Sequence, residues 1–419
     1  MNNSFTASPH PFEGIIEGQL ETGSTLQALY LKDPHAEKTN LLRGSYQASV
    51  GTPFVPKCVM LAREKILRDP AWHHDYLPFL GASGLLKAGE ELFFGRQCPL
   101  TKLQRVASMQ TVGATGAIHM GGRFLQMHYP PWLGQNNSTI YMPKETWVNH
   151  RSLVKTLGIQ PHDLPYYNAS VKSLDWERYK SAVESLPRQS VILVQTGAHN
   201  PTGCDPTRDQ WVQLIQIFVA RGHFAFLDCA YLGLASGDAE ADASVIRMFV
   251  TATVPLLLAA TFGKSFGLYG ERVGMLSVIA PNTEVRGKIQ KQMVLMARSE
   301  TGSCPSFGAK VVETVLGDDL IKNQWSEDVN GVAASLQNRR QILRHSLERL
   351  RTPGDWNFIT QQVGMFSHLD FTPSQVQYLR EEHHLYLDQN SRISFAAIDE
   401  RGIQRVAHGI HDMMQKHVA

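Results

Sequence analysis

The sequence predicts an α/β fold: a large domain with a mostly parallel sheet flanked by helices, and a smaller α+β domain. Two observations carry this. From about residue 100 the chain alternates apolar, β-branched runs with amphipathic helix patterns, the signature of strands covered by helices. The last hundred residues change character, with a long polar-faced helix pattern over roughly 325–350 and short strand-like runs after it. A chain of 419 residues has room for two or three domains and a large core.

The clearest unit spans residues 190–228. SVILVQ (190–195) reads as a buried strand. Trp211, Leu214, Ile215 and Phe218 then recur at i, i+3, i+4 and i+7, the spacing of one helix face. Thr207 with Gln210 forms a capping box at its start, and Gly222 stands where a helix ends. HFAFLD (223–228) is the next strand. A second helix carries Val245, Ile246 and Phe249 on one face and is stopped by Pro255, and LLLAATF (256–262) is the third strand. Strand–helix–strand units pair in parallel, so the three strands end on one edge, and open α/β sheets bind ligands at that edge. Asn200 follows the first strand, Asp228 ends the second with Tyr231 after it, and Lys264 and Arg272 follow the third.

Toward the C-terminus, FTPSQVQYL (371–379) opens a helix with Thr372 as N-cap and Pro373 in the first turn. HLYL (384–387) and RISFAA (392–397) predict a hairpin around residues 388–391.

Hydrophobic residues make up 43%, charged residues 19%, and the net charge is +2, an ordinary globular balance. No long basic run is present, which argues against nucleic-acid or polybasic membrane partners. No apolar run approaches the ~20 residues of a membrane span. The five cysteines are scattered without metal-ligand or redox spacing, as expected of free thiols in a reducing compartment. The opening MNNSFTASPHPFEG lacks both an apolar signal core and arginine. A cytoplasmic protein is the expectation, with the first dozen residues as an arm.

A lysine directly after a buried strand needs a reason, because burying its charge is costly. Gly263-Lys264-Ser265 mimics the end of a P-loop, but Leu258 stands where that motif needs glycine. GATGAIHMGG (113–122) is no dinucleotide fingerprint either. It does put small residues and Thr115 at a helix start, where free N–H groups suit a phosphate. A lysine amine, an aspartate and a phosphate-ready helix terminus in one crevice suggest pyridoxal phosphate: the amine condenses with its aldehyde and the carboxylate pairs with its ring nitrogen.

The chain resembles the aspartate aminotransferase family, the fold type I pyridoxal-phosphate enzymes. The resemblance runs from about Thr39 to the C-terminus. It is carried by NLLRGSY (40–46), DYLPFLG (75–81), TGAHNPTGCDPT (196–207), LDCAYLGLASGD (227–238), TFGKSFGLYGERVG (261–274), GMFS (364–367) and SRISFAAI (391–398).

The resemblance implies a large domain over 51–320 with a mixed, mostly parallel sheet, and a small domain joining 1–50 to 321–419. It makes Lys264 the Schiff-base lysine, which also carries the proton. It makes Asp228 the partner of the ring nitrogen and His150 the support of that aspartate. Tyr231 and Asn200 become donors to the cofactor's phenolic oxygen, and Trp147 the aromatic against its ring. Arg272, Thr115 and Thr261, with the backbone at Gly113 and Ala114, form the phosphate cradle. Tyr76 reaches the phosphate of a neighbouring subunit. Arg392 binds the substrate α-carboxylate, and Asn200 and Trp147 also border the substrate. Gly44 sits on a closing loop, and Arg298 reads the distal carboxylate from the partner of a homodimer with shared sites. The implied reaction moves the amino group of aspartate to 2-oxoglutarate. A broad-specificity or aromatic aminotransferase is the alternative on the same scaffold, and a non-catalytic binding protein a remote one.

The sequence departs from the family pattern around Arg298. Ala114 stands where glycine is common, Thr261 where serine is usual, and Gly302 where the family commonly has a serine that crosses to the other subunit. Glu300, two residues from Arg298, is a potential competitor for it.

Overall fold

The computed structural model describes residues 10, 12–16, 22–49, 51–102, 104–134 and 138–417. Most of the expected N-terminal arm therefore lies outside the described residues.

A seven-stranded sheet organises the larger part. Its strands are β1 (Val106–Val112), β2 (Thr139–Pro143), β3 (Gln160–Leu164), β4 (Val191–Gln195), β5 (Phe224–Cys229), β6 (Leu256–Thr261) and β7 (Val273–Ile279). Their spatial order is β1-β7-β6-β5-β4-β2-β3. β7 runs antiparallel to both of its neighbours, and the other pairs are parallel. The sheet is mixed and mostly parallel, as expected.

Both faces are buried, and alternation sorts the strands' side chains. Ile192, Val194, Ala225, Leu227, Leu256 and Leu258 belong to one apolar cluster. Val191, Leu193, Phe226, Leu257 and Ala259 belong to the other. This is why the strands read as continuous apolar runs.

The helix predicted between β4 and β5 is Arg208–Arg221. The Gln210 N–H donates to Thr207 Oγ1 at 3.3 Å, Thr207 N–H donates to Gln210 Oε1 at 2.8 Å, and Gly222 closes the helix at φ 66°. Between β5 and β6 runs Ala239–Thr251, with Ile246 and Phe249 buried. The register sets Asp228 between Gln195 of β4 and Ala259 of β6, so the edge residues of successive strands lie side by side.

The long C-terminal helix is Asp319–Arg349. It begins earlier than its apolar pattern suggests, because Asp318 caps it by accepting from the N–H groups of Leu320 and Ile321. Thr372 caps Pro373–His383, as predicted, and also forms a capping box with Gln375.

The predicted hairpin does not form. Leu385–Tyr386 pairs in parallel with Thr39–Asn40, and Arg392–Ser394 pairs antiparallel with Phe366–His368. The chain does turn between them, where the Ser391 N–H donates to the Asp388 carbonyl at 2.8 Å. Ser391, however, adopts φ 67°, and each run takes a ladder partner from elsewhere. Thr39–Asn40 thereby joins the C-terminal part of the chain, as does Gln47, whose N–H donates to the Ala396 carbonyl at 2.8 Å.

Candidate active site

The C-terminal ends of β4, β5 and β6 open on a cavity of about 130 Å³. Lys264 enters it three residues past β6. Its Nζ donates to the Gly44 carbonyl at 2.8 Å and lies 4.9 Å from the centre of the Tyr269 ring. Burial, then the charges of Arg272 and Arg392, push its pKa down to about 8.

Asp228 forms the floor. Its Oδ2 lies 3.2 Å from His150 Nε2, and His150 Nδ1 lies 2.8 Å from Thr146 Oγ1. Both residues are buried, and Asp228 Oδ1 has no protein partner. A buried carboxylate oxygen left open at a cavity is a place for a donor from a ligand.

On one flank Asn200 Nδ2 donates to the Tyr231 hydroxyl at 3.1 Å. Burial raises the Tyr231 phenol well above its ordinary value. On the other flank the helix Gly113–His128 starts at the cavity wall with Ala114 and Thr115. No side chain caps its first turn, so its N–H groups remain available to an anion. Arg272 packs against it so closely that a Cβ on Gly113 would meet Nη2 at 2.7 Å. Thr261 lines the cavity too, but its hydroxyl donates inward to the Val273 carbonyl at 2.9 Å and accepts from the Gly263 N–H. Trp147 closes one side, edge-on to His150.

Arg392 stands just beyond the cavity. Its Nη2 donates to the Leu42 carbonyl at 3.1 Å, and its guanidinium lies 4.5 Å from the centre of the Phe366 ring. Tyr76 and Arg298 are not brought in. Both are exposed, and Arg298 sits over the Phe79 ring at 5.6 Å. Glu300 does not compete for Arg298: it faces His119 at 2.5 Å and Arg123 at 3.6 Å.

The amine, the open carboxylate oxygen and the uncapped helix terminus beside Arg272 fit pyridoxal phosphate, which needs a condensing amine, a partner for its ring nitrogen and an anion cradle. The comparisons agree. The family model for aminotransferase class I and II matches residues 36–410.

The chain belongs to this family.

It is a pyridoxal-phosphate-dependent aminotransferase. It is 35% identical over 410 residues to a cytoplasmic aspartate aminotransferase of Oryza sativa subsp. japonica, covering 98% of this chain and 99% of that one. A cytoplasmic aspartate aminotransferase of Schizosaccharomyces pombe is 33% identical at the same coverage. Among solved structures, the cytoplasmic aspartate aminotransferase of Saccharomyces cerevisiae superimposes with a TM-score of 0.92 at 31% identity, covering 97% of this chain and 99% of that one. An aromatic-amino-acid aminotransferase of Burkholderia pseudomallei, covalently bound to pyridoxal phosphate, also gives 0.92, at 28% identity, covering 97% of this chain and all of that one.

Two polar side chains that line the cavity of this aminotransferase, Gln195 and Tyr269, are not among the sequence-predicted site residues. Gln195, the last residue of β4, clamps Asn200 by accepting from its N–H at 2.9 Å and donating to its carbonyl at 3.0 Å. A buried amide ending an apolar strand was the available signal. Tyr269 accepts from the Tyr46 N–H at 2.9 Å and places its ring beside Lys264. Nothing in its local pattern marks it.

Proposed function

We propose that this aminotransferase is a cytoplasmic, homodimeric aspartate aminotransferase, converting L-aspartate and 2-oxoglutarate to oxaloacetate and L-glutamate. The observation that carries the substrate reading is Arg392, held beside the cavity with its nearest carboxylate at 3.5 Å, to which the resemblance adds Arg298 from the second copy. Arg392 stands beside Lys264 and reaches Asp388 only at 3.5 Å, and Arg298 has no carboxylate partner among the described residues. Two cationic forks suit a dicarboxylic substrate. The aspartate aminotransferases among its relatives support the same reading.

Each residue then has a task. Pyridoxal phosphate, when bound, supplies an electron sink for the pair left by the departing α-proton. Asp228, steadied by His150, holds a proton at the ring nitrogen. Asn200 and Tyr231 donate to the phenolic oxygen. The N–H groups at Gly113, Ala114 and Thr115, with Arg272 and the rim at Thr261, hold the phosphate, and Tyr76 of a second copy reaches toward it. Trp147 packs against the ring. Lys264 Nζ, whose pKa burial lowers to about 8 so that about a tenth is already neutral at pH 7, would take the proton from the substrate α-carbon and return it at C4′. Arg392 grips the α-carboxylate. Gly44, on the loop proposed to close over substrate, offers its carbonyl to Lys264 Nζ at 2.8 Å. Arg298 reads the distal carboxylate of the second copy's substrate.

We also assign a large domain to residues 51–320 and a small one to 1–50 with 321–419. The pairing of Thr39–Asn40 with Leu385–Tyr386 supports the second assignment.

A broader reading has one observation in its favour. Arg298 rests on an aromatic ring and makes no fixed hydrogen bond among the described residues, so it is free to swing aside for an aromatic donor. A steady-state panel of aspartate, glutamate, phenylalanine and tyrosine against 2-oxoglutarate and oxaloacetate separates the two. Aspartate should exceed phenylalanine in kcat/KM by at least about tenfold, the value of one charge-assisted contact. Equal values would replace the aspartate reading with the broad one.

A further inference from the structure

Arg340, on the helix Asp319–Arg349, is completely buried and has no carboxylate partner among the described residues. Its guanidinium instead gathers five acceptors from one irregular stretch. Nη1 donates to the Ile359 carbonyl at 3.0 Å and to Ser367 Oγ at 2.6 Å. Nη2 donates to the carbonyls of Val363 at 3.1 Å, Gly364 at 3.0 Å and Phe366 at 2.5 Å. Its flat face lies 4.6 Å from the centre of the Phe395 ring.

A buried cation without a counter-ion is expensive, and a methionine would fill much of the same space without that cost. The arginine is explained by what its acceptors need. After the short helix Phe358–Gln361 the chain passes through Gly364 at φ 77° before it pairs as Phe366–His368. The carbonyls of Val363 and Gly364 lie between helix and ladder, those of Ile359 and Phe366 at their edges, and a buried carbonyl must find a donor. One planar fork serves several at once, and a lysine cannot do so with the same geometry.

The stretch exists to place Phe366. That ring lies under the Arg392 guanidinium, meets Tyr231 edge-on with 6.1 Å between centres, and would be 3.8 Å from a Cβ on Gly44. It therefore borders three groups of the proposed site. We propose that Arg340 is a positioning residue for Arg392: by fixing the backbone of Val363–Ser367 it sets Phe366 as the surface on which the Arg392 fork is held toward a substrate α-carboxylate. This rests on the reading of Arg392 given above.

The test uses the cofactor-loaded enzyme and the variants Arg340→Lys, Phe366→Leu and Arg392→Lys. Arg340→Lys keeps the charge but loses the fork. It should raise KM for amino acid and 2-oxo acid together by about tenfold, the value of one charge-assisted hydrogen bond, with kcat within about threefold. Phe366→Leu should shift KM in the same direction. Half-reaction rates with an amine lacking the α-carboxylate should match the parent in both. A merely structural role predicts the opposite split: a lower melting temperature and less active enzyme, with KM unchanged, and that result overturns the proposal. If Arg340→Lys does not fold, Ser367→Ala, which removes one of the five acceptors, carries the test. It should raise both KM values about twofold to threefold, the value of one neutral hydrogen bond, and unchanged values again overturn the proposal. Arg392→Lys keeps the two readings apart. Unaltered KM in that variant refutes the role of Arg392, and the proposal falls with it. A raised KM there with no effect at Arg340, Phe366 or Ser367 refutes the positioning role alone.

Discussion

Arg392 and Arg298 are both proposed to read a carboxylate, yet the fold treats them differently. Arg392 is 16% exposed in its side chain, bonded to the Leu42 carbonyl, flanked by Asp388 at 3.5 Å and backed by Phe366. Arg298 is exposed near the end of the helix Thr283–Glu300 and, among the described residues, rests on the Phe79 ring without an ion pair. One arginine is fixed before substrate arrives, and the other is held by little that belongs to its own chain. Fixed groups lose little freedom on binding, which favours strong and uniform recognition. A loosely held group gives weaker and more adaptable recognition. On the proposed roles, the α-carboxylate, common to every amino acid, would meet the rigid arginine, and the distal group, which varies between substrates, the adaptable one.

The largest effect should come from breaking the fixed side at its chemical centre. Lys264→Ala removes the amine proposed both to attach the cofactor and to carry the proton. Turnover should fall by roughly 10⁴-fold or more, since general acid–base catalysis alone contributes 10²–10⁴. Pyridoxal phosphate should still be retained noncovalently, as shown by its absorbance after desalting, because Asp228, Arg272 and the uncapped helix terminus are untouched. Multiple turnover by this variant, without an added amine, would remove Lys264 from the mechanism.

The two sides also differ in how far the sequence revealed them. Asn200, Asp228, Tyr231, Lys264 and Arg272 each lie at or just past the C-terminal end of one of three successive parallel strands. Local periodicity places the strands, and parallel pairing brings their ends together, so this half of the site was legible. Gln195 was passed over because it is the polar end of an apolar run, where a turn residue is expected. Phe366 and Arg340 acquire meaning only when the stretch 359–367 packs on the helix Asp319–Arg349, a contact that no local pattern encodes. The hairpin expectation failed for a related reason. Strands of two or three residues carry too little alternation to name their partners, and Leu385–Tyr386 found its partner in Thr39–Asn40, at the other end of the chain. Arg298 was placed by resemblance alone, and the described chain gives it no polar partner.

Breaking the adaptable side should have a smaller effect that depends on the substrate. Arg298→Asp sets a carboxylate against the substrate's own. Loss of a desolvated charge pair costs roughly 3–5 kcal/mol, or about 10²–10⁴ in kcat/KM for aspartate if felt in the transition state. Phenylalanine should suffer far less, and equal losses for both would assign Arg298 a structural role. Mixed dimers sharpen the point. When a Lys264→Ala chain is combined with an Arg298→Ala chain, one site lacks both groups. The other takes Lys264 from the second chain and Arg298 from the first, and is whole. Differently tagged chains should therefore regain aspartate activity on subunit exchange, approaching one working site per mixed dimer. Verified mixed dimers no more active than their parents would place both residues in the same site of one chain.

The smallest effect concerns the charge that Arg392 imposes on its neighbour. Lys264 has its pKa pushed down to about 8, first by burial, then by Arg272 and Arg392. The neutral amine is the form that attacks an aldehyde. At pH 7 about a tenth of Lys264 is neutral, against roughly 0.04% for an ordinary lysine of pKa ~10.4. The sign follows: lowering the pH below 8 protonates the amine, so covalent loading of cofactor-free protein with pyridoxal phosphate should slow about tenfold per unit there and level off above 8. Loading is read as growth of the lysine-bound absorbance in stopped flow. Arg392→Leu removes one of the two repelling charges and leaves burial, the larger cause, in place. Its midpoint should move alkaline by less than about one unit, a change of under tenfold in rate at pH 7. Because the fixed arginine stands close to Lys264 and Arg298 does not, Arg298→Leu should leave the midpoint where it was. A midpoint near 10 in the unaltered protein would show that the amine is solvated before the cofactor arrives, and equal shifts in the two arginine variants would erase the distinction between the two sides.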